Sequence, residues 1–216
     1  QIALLNNTTA SDNTAVGKSA LQENTTGAEN VSVGYQALKT NTTGVRMVAV
    51  GVNCLDANTT GSYSTAVGFG ALGSNTTGAS NVALGNGAAT NITTGANNTA
   101  LGTVAMQNSV SCSNSVAVGR DALYSTTTSN YNIAIGYRAS FGGDQGANNI
   151  GIGAFALSQN TAANLVAVGY SALENNTSGT NNTAIGYEAL EENTTGAENV
   201  AIGAYAADAG TNISNT

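Results

Sequence analysis

The stretch Gly186–Ile202, GYEALEENTTGAENVAI, contains the whole repeating unit of this 216-residue chain. The glycine that opens the unit follows a short aliphatic run, and it recurs at every seventeenth position. The series is Gly17, Gly34, Gly51, Gly68, Gly85, Gly102, Gly119, Gly136 and Gly153, and after one step that is shorter by a single position it continues at Gly169, Gly186 and Gly203. A fixed period of this length is the mark of a repeat architecture, so we predict about twelve stacked copies of one structural unit.

The three residues before each glycine have the composition of a β-strand. The first is always β-branched, the third is always Val, Leu or Ile, and the middle residue is always Ala, Ser or Gly. Because strand side chains alternate between two faces, the two larger residues point one way and the small residue the other. We expect both faces to be buried, with the small-residue face packed against another backbone layer that a second chain could supply. The Ala-Leu pairs, such as Ala20–Leu21 and Ala189–Leu190, are interpreted as a second short strand.

The segments between the strands are predicted to be corners. Asn-Thr-Thr-Gly occurs at 24–27, 41–44, 58–61, 75–78 and 193–196, and these residue types favour tight turns. A helix would be destabilised by about 1 kcal/mol for each of these glycines, so the α-solenoid alternative is rejected. The one shortened step is expected to be absorbed by a turn that has lost a residue within Gln159–Asn164. The fold class predicted is therefore all-β: a parallel β-solenoid of 17-residue coils, in a single repeat domain spanning 1–216 with irregular coils at 103–163.

Composition excludes several classes of protein. Only 8% of the residues are charged, 5% are aromatic, and His, Pro and Trp are absent, so a compact enzyme core is not expected. The net charge of -7 disfavours nucleic acid as a partner. No apolar run approaches the ~20 residues of a membrane helix, so we expect no membrane insertion of this segment.

One coil contributes little apolar area for the number of residues that it orders. At ~25 cal/mol per Å² of buried apolar surface, set against ~1.5 kcal/mol of ordering entropy per residue, an isolated coil is at best marginal. Association with further copies would bury additional area, so an obligate homo-oligomer is predicted, with the small-residue face against the neighbouring copies.

The segments Asn13–Gly17, Asn182–Gly186 and Asn199–Gly203 carry a pattern that resembles the head repeats of trimeric autotransporter (YadA-like) adhesins. It is also similar to repeats in bacteriophage-type tail fibres. The resemblance covers nearly the whole chain and implies a homotrimer of left-handed β-rolls that serves as the shaft or head of a surface fibre. It further implies attachment to a cell-surface glycan or protein receptor from an extracellular position, on a cell, a virion or an injection machine.

Two features depart from that resemblance. The adhesin heads use a somewhat shorter repeat, and nothing here matches their stalk and anchor or a fibre's chaperone domain. The chain starts within a unit at Ala3–Leu4 and ends with Asn215–Thr216, as a further unit would begin, so we expect an excerpt of a longer fibre.

The irregular coils are where a ligand site is predicted, since irregularity on a regular scaffold can supply specificity. The candidate ligand-binding residues are Tyr124, Tyr131, Arg138, Phe141 and Asp144; drift of a degenerate repeat would explain them equally well. Tyr35, Phe69, Tyr137, Tyr170 and Tyr187 follow the recurring glycines and form either a core edge, which we favour, or a strip that stacks on sugars. The paired Thr residues of the corners form ladders that could order water as in ice-binding solenoids, although such Thr more often bond to the backbone. A purely structural spacer is the third alternative.

No cofactor, metal or catalytic residue is expected. The acidic residues are scattered over corners, and the adjacent Glu191 and Glu192 do not form the facing pair that a glycosidase needs. Cys54 and Cys112 lie more than three coils apart, which excludes a disulfide in this architecture. Cys54 is predicted to be a small buried apolar residue.

Overall fold

A computed structural model describes residues 2–208, so the partial unit expected at Asn215–Thr216 lies outside the described residues. Within 2–208 the structure contains strands and turns and no helix. The twelve strands are β1 (Thr14–Val16), β2 (Val31–Val33), β3 (Val48–Val50), β4 (Thr65–Val67), β5 (Val82–Leu84), β6 (Thr99–Leu101), β7 (Val116–Val118), β8 (Ile133–Ile135), β9 (Ile150–Ile152), β10 (Val166–Val168), β11 (Thr183–Ile185) and β12 (Val200–Ile202). They form one parallel sheet in sequence order.

The strand register confirms the predicted solenoid. Each strand residue pairs with the equivalent residue of the next coil, as Val48 does with Thr65 and Val50 with Val67. The eleven strand-to-strand steps give the rod a length of ~53 Å at the usual strand spacing of ~4.8 Å. Pairing continues without interruption through the irregular coils at 103–163.

The short step is absorbed in a corner, as predicted. In a standard corner the Asn24 Nδ2 donates to the carbonyl of Gly27, three residues later. In the short coil the Asn160 Nδ2 donates to the carbonyl of Ala162, only two residues later. One corner residue has been lost, and β9 and β10 remain in register.

The glycine column is a consequence of the coil spacing. A Cβ built on Gly51 would lie 2.3 Å from the carbonyl oxygen of Gly68 in the next coil, and the φ of Gly51 is +144°. Both the backbone conformation and the close approach of the neighbouring coil exclude any other residue.

The Ala-Leu pairs do not form a second strand, so that prediction was wrong. These residues lie in turns, and the leucine of each pair has left-handed backbone, with φ of +49° at Leu21 and +52° at Leu72. A left-handed residue costs about 1–2 kcal/mol. Here full burial of the leucine side chain and hydrogen bonds between coils, such as Leu21 N to Ala37 O at 3.0 Å, offset that cost.

The orientation of the strands also differs from the prediction. The small middle residues, such as Ala49 and Ala66, are fully buried inside the coil, where they pack in one cluster with the leucine column. Ser32 has the same position, and its Oγ donates to Ala37 O at 2.8 Å. The β-branched and aliphatic residues point out of the coil, so only one face of the sheet is buried, and the small-residue face is not available to a second chain. The interior of a thin coil has room for Ala opposite Leu but not for two large side chains.

Two columns of asparagine line the interior of the corners. Asn41 Nδ2 donates to Asn24 Oδ1 at 2.8 Å, and Asn58 Nδ2 donates to Asn41 Oδ1 at 2.9 Å. In the second column Asn30 Nδ2 donates to Gly44 O, and its Oδ1 accepts from Met47 N. Buried carboxamides therefore satisfy corner backbone groups and fix the distance between coils.

The apolar core is divided in two near β9. One cluster of buried apolar residues extends as far as Ala139 and the other begins at Ala156. At this point Ser140 occupies the leucine column and Gly151 the alanine column, and the buried Ser140 Oγ has no hydrogen-bond partner. The irregular segment is thus the weakest part of the core.

Candidate functional site

Three of the five predicted site residues come together on the irregular coils. The Arg138 guanidinium lies over the ring of Phe141, with its Cζ 4.6 Å from the ring centroid, and beside Tyr137 at 5.4 Å. Phe141 stacks on Tyr124 with centroids 5.2 Å apart and planes inclined by 24°. Residues one repeat apart are neighbours in adjacent coils, which brings Tyr124 and Phe141 into contact. We call Tyr124, Tyr137, Arg138 and Phe141 the arginine-aromatic cluster.

A buried carboxylate anchors this cluster. The Asp121 side chain is only 9% exposed, and its Oδ2 lies 3.7 Å from Arg138 Nε and 3.5 Å from Arg120 Nε. Asp121 and Arg138 occupy the same column of adjacent coils. Two guanidinium groups around one carboxylate leave this surface locally positive on a chain of net charge -7. A planar guanidinium with aromatic rings beside it is a surface suited to stacking and to binding anionic or hydroxylated groups.

The other two predicted residues lie elsewhere on the coil. Tyr131 occupies the corner before β8, with left-handed backbone and 60% of its surface exposed. Asp144 lies in the Asn-Thr-Thr-Gly column, where its Oδ1 accepts a hydrogen bond from the backbone N of Thr127 at 2.9 Å. Asp144 therefore completes a corner. The predicted set does not form one site, and its role in ligand binding stays a prediction.

The aromatic residues at the far end of the rod form one continuous row. Ring centroids are 5.4 Å apart between Tyr137 and Phe155, 5.8 Å between Phe155 and Tyr170, 5.3 Å between Tyr170 and Tyr187, and 5.3 Å between Tyr187 and Tyr205. Tyr170 and Tyr187 are parallel, so each covers one face of the other. Tyr35 is separate from this row and lies near Lys18, whose Nζ is 5.8 Å from the ring centroid. Tyr137, Tyr170, Tyr187 and Tyr205 are nevertheless 39–59% exposed, so the row lies on the surface and its role as core edge or sugar-stacking strip stays a prediction.

Acidic side chains flank the end of this row. A hydrogen bond with Glu188 raises the pKa of the Tyr187 hydroxyl to about 12. Burial raises the pKa of Glu191, and the negative charges of Glu188 and Glu174 raise it further. Within residues 2–208 no group of three or more His, Cys, Asp or Glu side chains is placed to hold a metal ion.

The threonine ladders divide into two kinds of hydroxyl. The first Thr of the pairs between residues 25 and 94 donates to the backbone of the next coil, as Thr25 Oγ1 does to Thr42 O at 2.9 Å and Thr42 Oγ1 to Thr59 O at 2.9 Å. The second Thr of each pair is exposed, as at Thr26 and Thr43. Half of the hydroxyls therefore stabilise corners, which favours the structural interpretation over an ice-binding one.

An extended apolar surface is formed by the outer face of the sheet, which we call the aliphatic face. It is formed by the first and third residues of the strands, and Val16, Val31, Val50, Val82, Leu84, Ile135, Ile152, Ile185, Val200 and Ile202 are each more than a third exposed. Strands of three residues stacked over ~53 Å give a strip of roughly 500 Å². That size is at the upper end of the apolar patches found on monomeric proteins and is typical of an interaction surface.

Both cysteines are free and fully buried, in accordance with the prediction that they form no disulfide. Burial raises the pKa of Cys54 to about 12 and that of Cys112 to about 11. Thiols of this kind are apolar core groups and are not nucleophiles at neutral pH.

Sequence reasoning missed Asp121, Phe155 and the exposure of the aliphatic face. The signal for Asp121 was present, because opposite charges one repeat apart must meet in a solenoid; Glu29 and Arg46 pair in the same way, at 2.8 Å. Tyr137, Tyr170 and Tyr187 directly follow a recurring glycine, whereas Phe155 lies two residues after its glycine. A search of the positions directly after the glycines therefore misses Phe155.

No protein-family model, curated protein or solved structure matches this chain. None of residues 2–208 belongs to a helix that could cross a membrane.

Proposed function

We propose that this chain is a non-enzymatic segment of a homotrimeric extracellular fibre that attaches one surface to another. The observation that carries the proposal is the continuous aliphatic face along an elongated rod. The resemblance to adhesin heads and tail-fibre repeats supplies the number of chains and the attachment role.

The aliphatic face supports association of identical chains. Its residues recur in every coil, so a second copy placed alongside with its coils at the same level meets Val, Ile and Leu at every level. A cyclic assembly whose axis runs along the rod gives all copies the same direction and closes the interface. At ~25 cal/mol per Å², burying roughly 500 Å² of this face would contribute on the order of 12 kcal/mol per chain before the costs of association.

The features outside the aliphatic face support attachment. The arginine-aromatic cluster presents a guanidinium and aromatic rings on coils whose neighbours are mostly small and polar. Three such clusters around one fibre would bind a repetitive surface with high avidity even if each contact were weak. Such a fibre could belong to a cell surface, a virion or an injection machine.

The test of assembly is the native mass of the purified chain. Light scattering at micromolar concentration should give about 64 kDa for a trimer, against 21.3 kDa for one chain. Val50→Glu combined with Leu84→Glu places charges on the aliphatic face and should reduce the mass to that of one chain. Thr60→Glu, at an exposed corner, is the matched control and should leave the trimer intact. A wild-type mass of one chain would refute the trimer.

The test of attachment uses the fluorescently labelled trimer on a panel of bacterial and animal cells. Binding to at least one cell type is expected, and the Val50→Glu, Leu84→Glu variant should bind at least tenfold more weakly because avidity is lost. A trimer that binds no cell in the panel would be a spacer, and the attachment role would be withdrawn.

A further inference from the structure

A notch interrupts the surface between β3 and β5. Each coil has two positions that lie two and five residues after its recurring glycine. In most coils these positions carry residues larger than glycine. The coil that starts at Gly68 has Gly70 and Gly73 at these positions, while the preceding coil has Asn53 and Asp56. The coils on either side are two strand spacings apart, or ~9.6 Å. The result is an open cavity of about 490 Å³ lined by these two glycines and by Asn53, Asp56, Phe69, Ser74 and Thr90.

Phe69 forms one side of the notch with an uncovered ring. It is 58% exposed, which is unusual for phenylalanine. The neighbouring positions in its column are Val52 and Asn86, so no ring of that column stacks on it. Phe69 differs in this respect from Tyr170 and Tyr187, which cover each other. An apolar ligand face can therefore lie flat on this ring.

The remaining groups of the notch are hydrogen-bonding groups. The half-buried Asp56 carboxylate offers two acceptor oxygens, and Asn53 and Ser74 offer an amide and a hydroxyl. Thr90 Oγ1 donates to Gly70 O at 3.1 Å, so its oxygen can still accept. The notch thus combines one aromatic platform with polar groups from its own coil and from the coils on both sides.

The charge around the notch favours a neutral ligand. Burial raises the pKa of Asp56, and the positive charge of Lys39, in the same column of the preceding coil, acts in the opposite direction. Lys39 balances the one acid that lines the notch. A ligand with many hydroxyls and one apolar face fits this combination better than a cation or an anion does.

We propose that the notch between β3 and β5 is a binding site for a pyranose saccharide. The C–H face of the sugar lies on Phe69, and its hydroxyls donate to Asp56 and bond with Asn53, Ser74 and Thr90. This site names a ligand class for the attachment role proposed above and rests on that role for its biological meaning. Saccharide binding by the notch itself requires only a folded coil.

Two substitutions remove the site in different ways. Gly73→Gln supplies the side chain that Gln22 and Gln107 have in the same column, and it fills the notch. Gly73 does not have left-handed backbone, and the nearest atom to a Cβ built there is Gly70 O at 3.2 Å, so the variant should fold. Phe69→Ala removes the platform and leaves the notch open. Tyr35→Ala is the matched control, because Tyr35 has the same column position in a coil whose neighbouring columns are filled by Gln36 and Lys39.

The experiment is saturation-transfer NMR on the native chain with the methyl glycosides of glucose, galactose, mannose, fucose and N-acetylglucosamine. At least one glycoside should receive saturation, and Gly73→Gln and Phe69→Ala should each weaken its binding at least tenfold, or about 1.4 kcal/mol. Tyr35→Ala should leave binding unchanged. Circular dichroism of each variant checks that the rod is intact.

Two results would overturn the inference: no glycoside receives saturation, or binding persists in both notch variants. These results are separable from failure of the attachment role. If the Gly73→Gln trimer still binds cells as the wild type does, attachment stands and the notch is not its site. If the wild type binds glycosides but no cells, the notch stands and attachment fails.

Discussion

Replacing a column glycine should cost far more inside the rod than at its end. Gly51 and Gly203 occupy the same slot with φ of +144° and +128°. A Cβ on Gly51 would lie 2.3 Å from Gly68 O, whereas within residues 2–208 the one atom within 4 Å of a Cβ on Gly203 is Ala206 Cβ, at 4.0 Å. The pair Gly51→Ala and Gly203→Ala therefore separates contact between coils from backbone strain.

The loss of stability expected for Gly51→Ala follows from the clash between the added Cβ and Gly68 O. A normal contact of ~3.2 Å requires the two coils to separate by ~1 Å, which would lengthen the hydrogen bonds on either side beyond a useful distance. These include Gly68 N to Val50 O at 2.9 Å. Two lost bonds at ~1 kcal/mol each add to strain of about 1–3 kcal/mol. We expect Gly51→Ala to lower the free energy of unfolding by ~3–5 kcal/mol and Gly203→Ala by only ~1–3 kcal/mol.

Urea unfolding followed by circular dichroism, at one fixed chain concentration, measures both values. Hydrogen exchange should show faster exchange at the amides around Gly51 and little change there in Gly203→Ala. If both variants lose the same stability, strain alone explains the glycine column, and the argument from coil contact is wrong.

Three further predictions follow from the core. Asn58→Ala removes the acceptor of Asn75 Nδ2, which lies 3.1 Å away, and should cost ~2–4 kcal/mol in urea unfolding; a loss below ~0.5 kcal/mol would contradict the asparagine column as a stabilising feature. Ser140→Leu should raise the free energy of unfolding by ~1–2 kcal/mol, because it removes an unpartnered buried hydroxyl beside Gly151 and rejoins the leucine column; destabilisation would show that the gap is needed. Since burial raises the pKa of Cys54 to about 12, the unfolded chain loses its thiol proton first, and stability should fall as pH rises from about 9 to 12; Cys54→Ala should remove that part of the pH dependence. An identical pH profile in Cys54→Ala would contradict this assignment.

The strands are predictable from the repeat because each strand pairs with the strand one repeat away, and the repeat length is visible in the sequence. Each strand residue pairs with the equivalent residue of the next repeat, so a period and a β-branched column suffice to place all twelve strands. The shortened corner at Asn160 follows in the same way, from one missing residue.

The Ala-Leu turn could not be predicted from residue type. Leucine rarely adopts left-handed backbone, and nothing local to Leu72 indicates a φ of +52°. Only the need to close each coil within the length of one repeat, with the leucine inside, imposes that conformation. The outward direction of Val50 and Leu84 follows from the same closure, since alternation alone does not tell which face is inside.

The candidate ligand sites were predictable to different extents as well. Contacts between adjacent coils, such as Tyr124 with Phe141, are predictable from the repeat spacing. The notch at Gly70 and Gly73 is a set of missing side chains, and its shape depends on the coils on both sides. A pattern search for chemical groups passes over such a gap.

Because each coil forms its main contacts with the coils directly before and after it, the number of coils is not fixed by the fold. Adding or deleting one whole unit at a corner keeps the same kind of contact between neighbouring coils. An insertion or deletion of fewer residues must instead change the length of one corner, as the missing residue does at Asn160. Duplication or loss of whole units during replication of the gene would therefore change how far the protein reaches without changing how it folds. Reach can vary between related molecules while the cross-section of the rod stays constant.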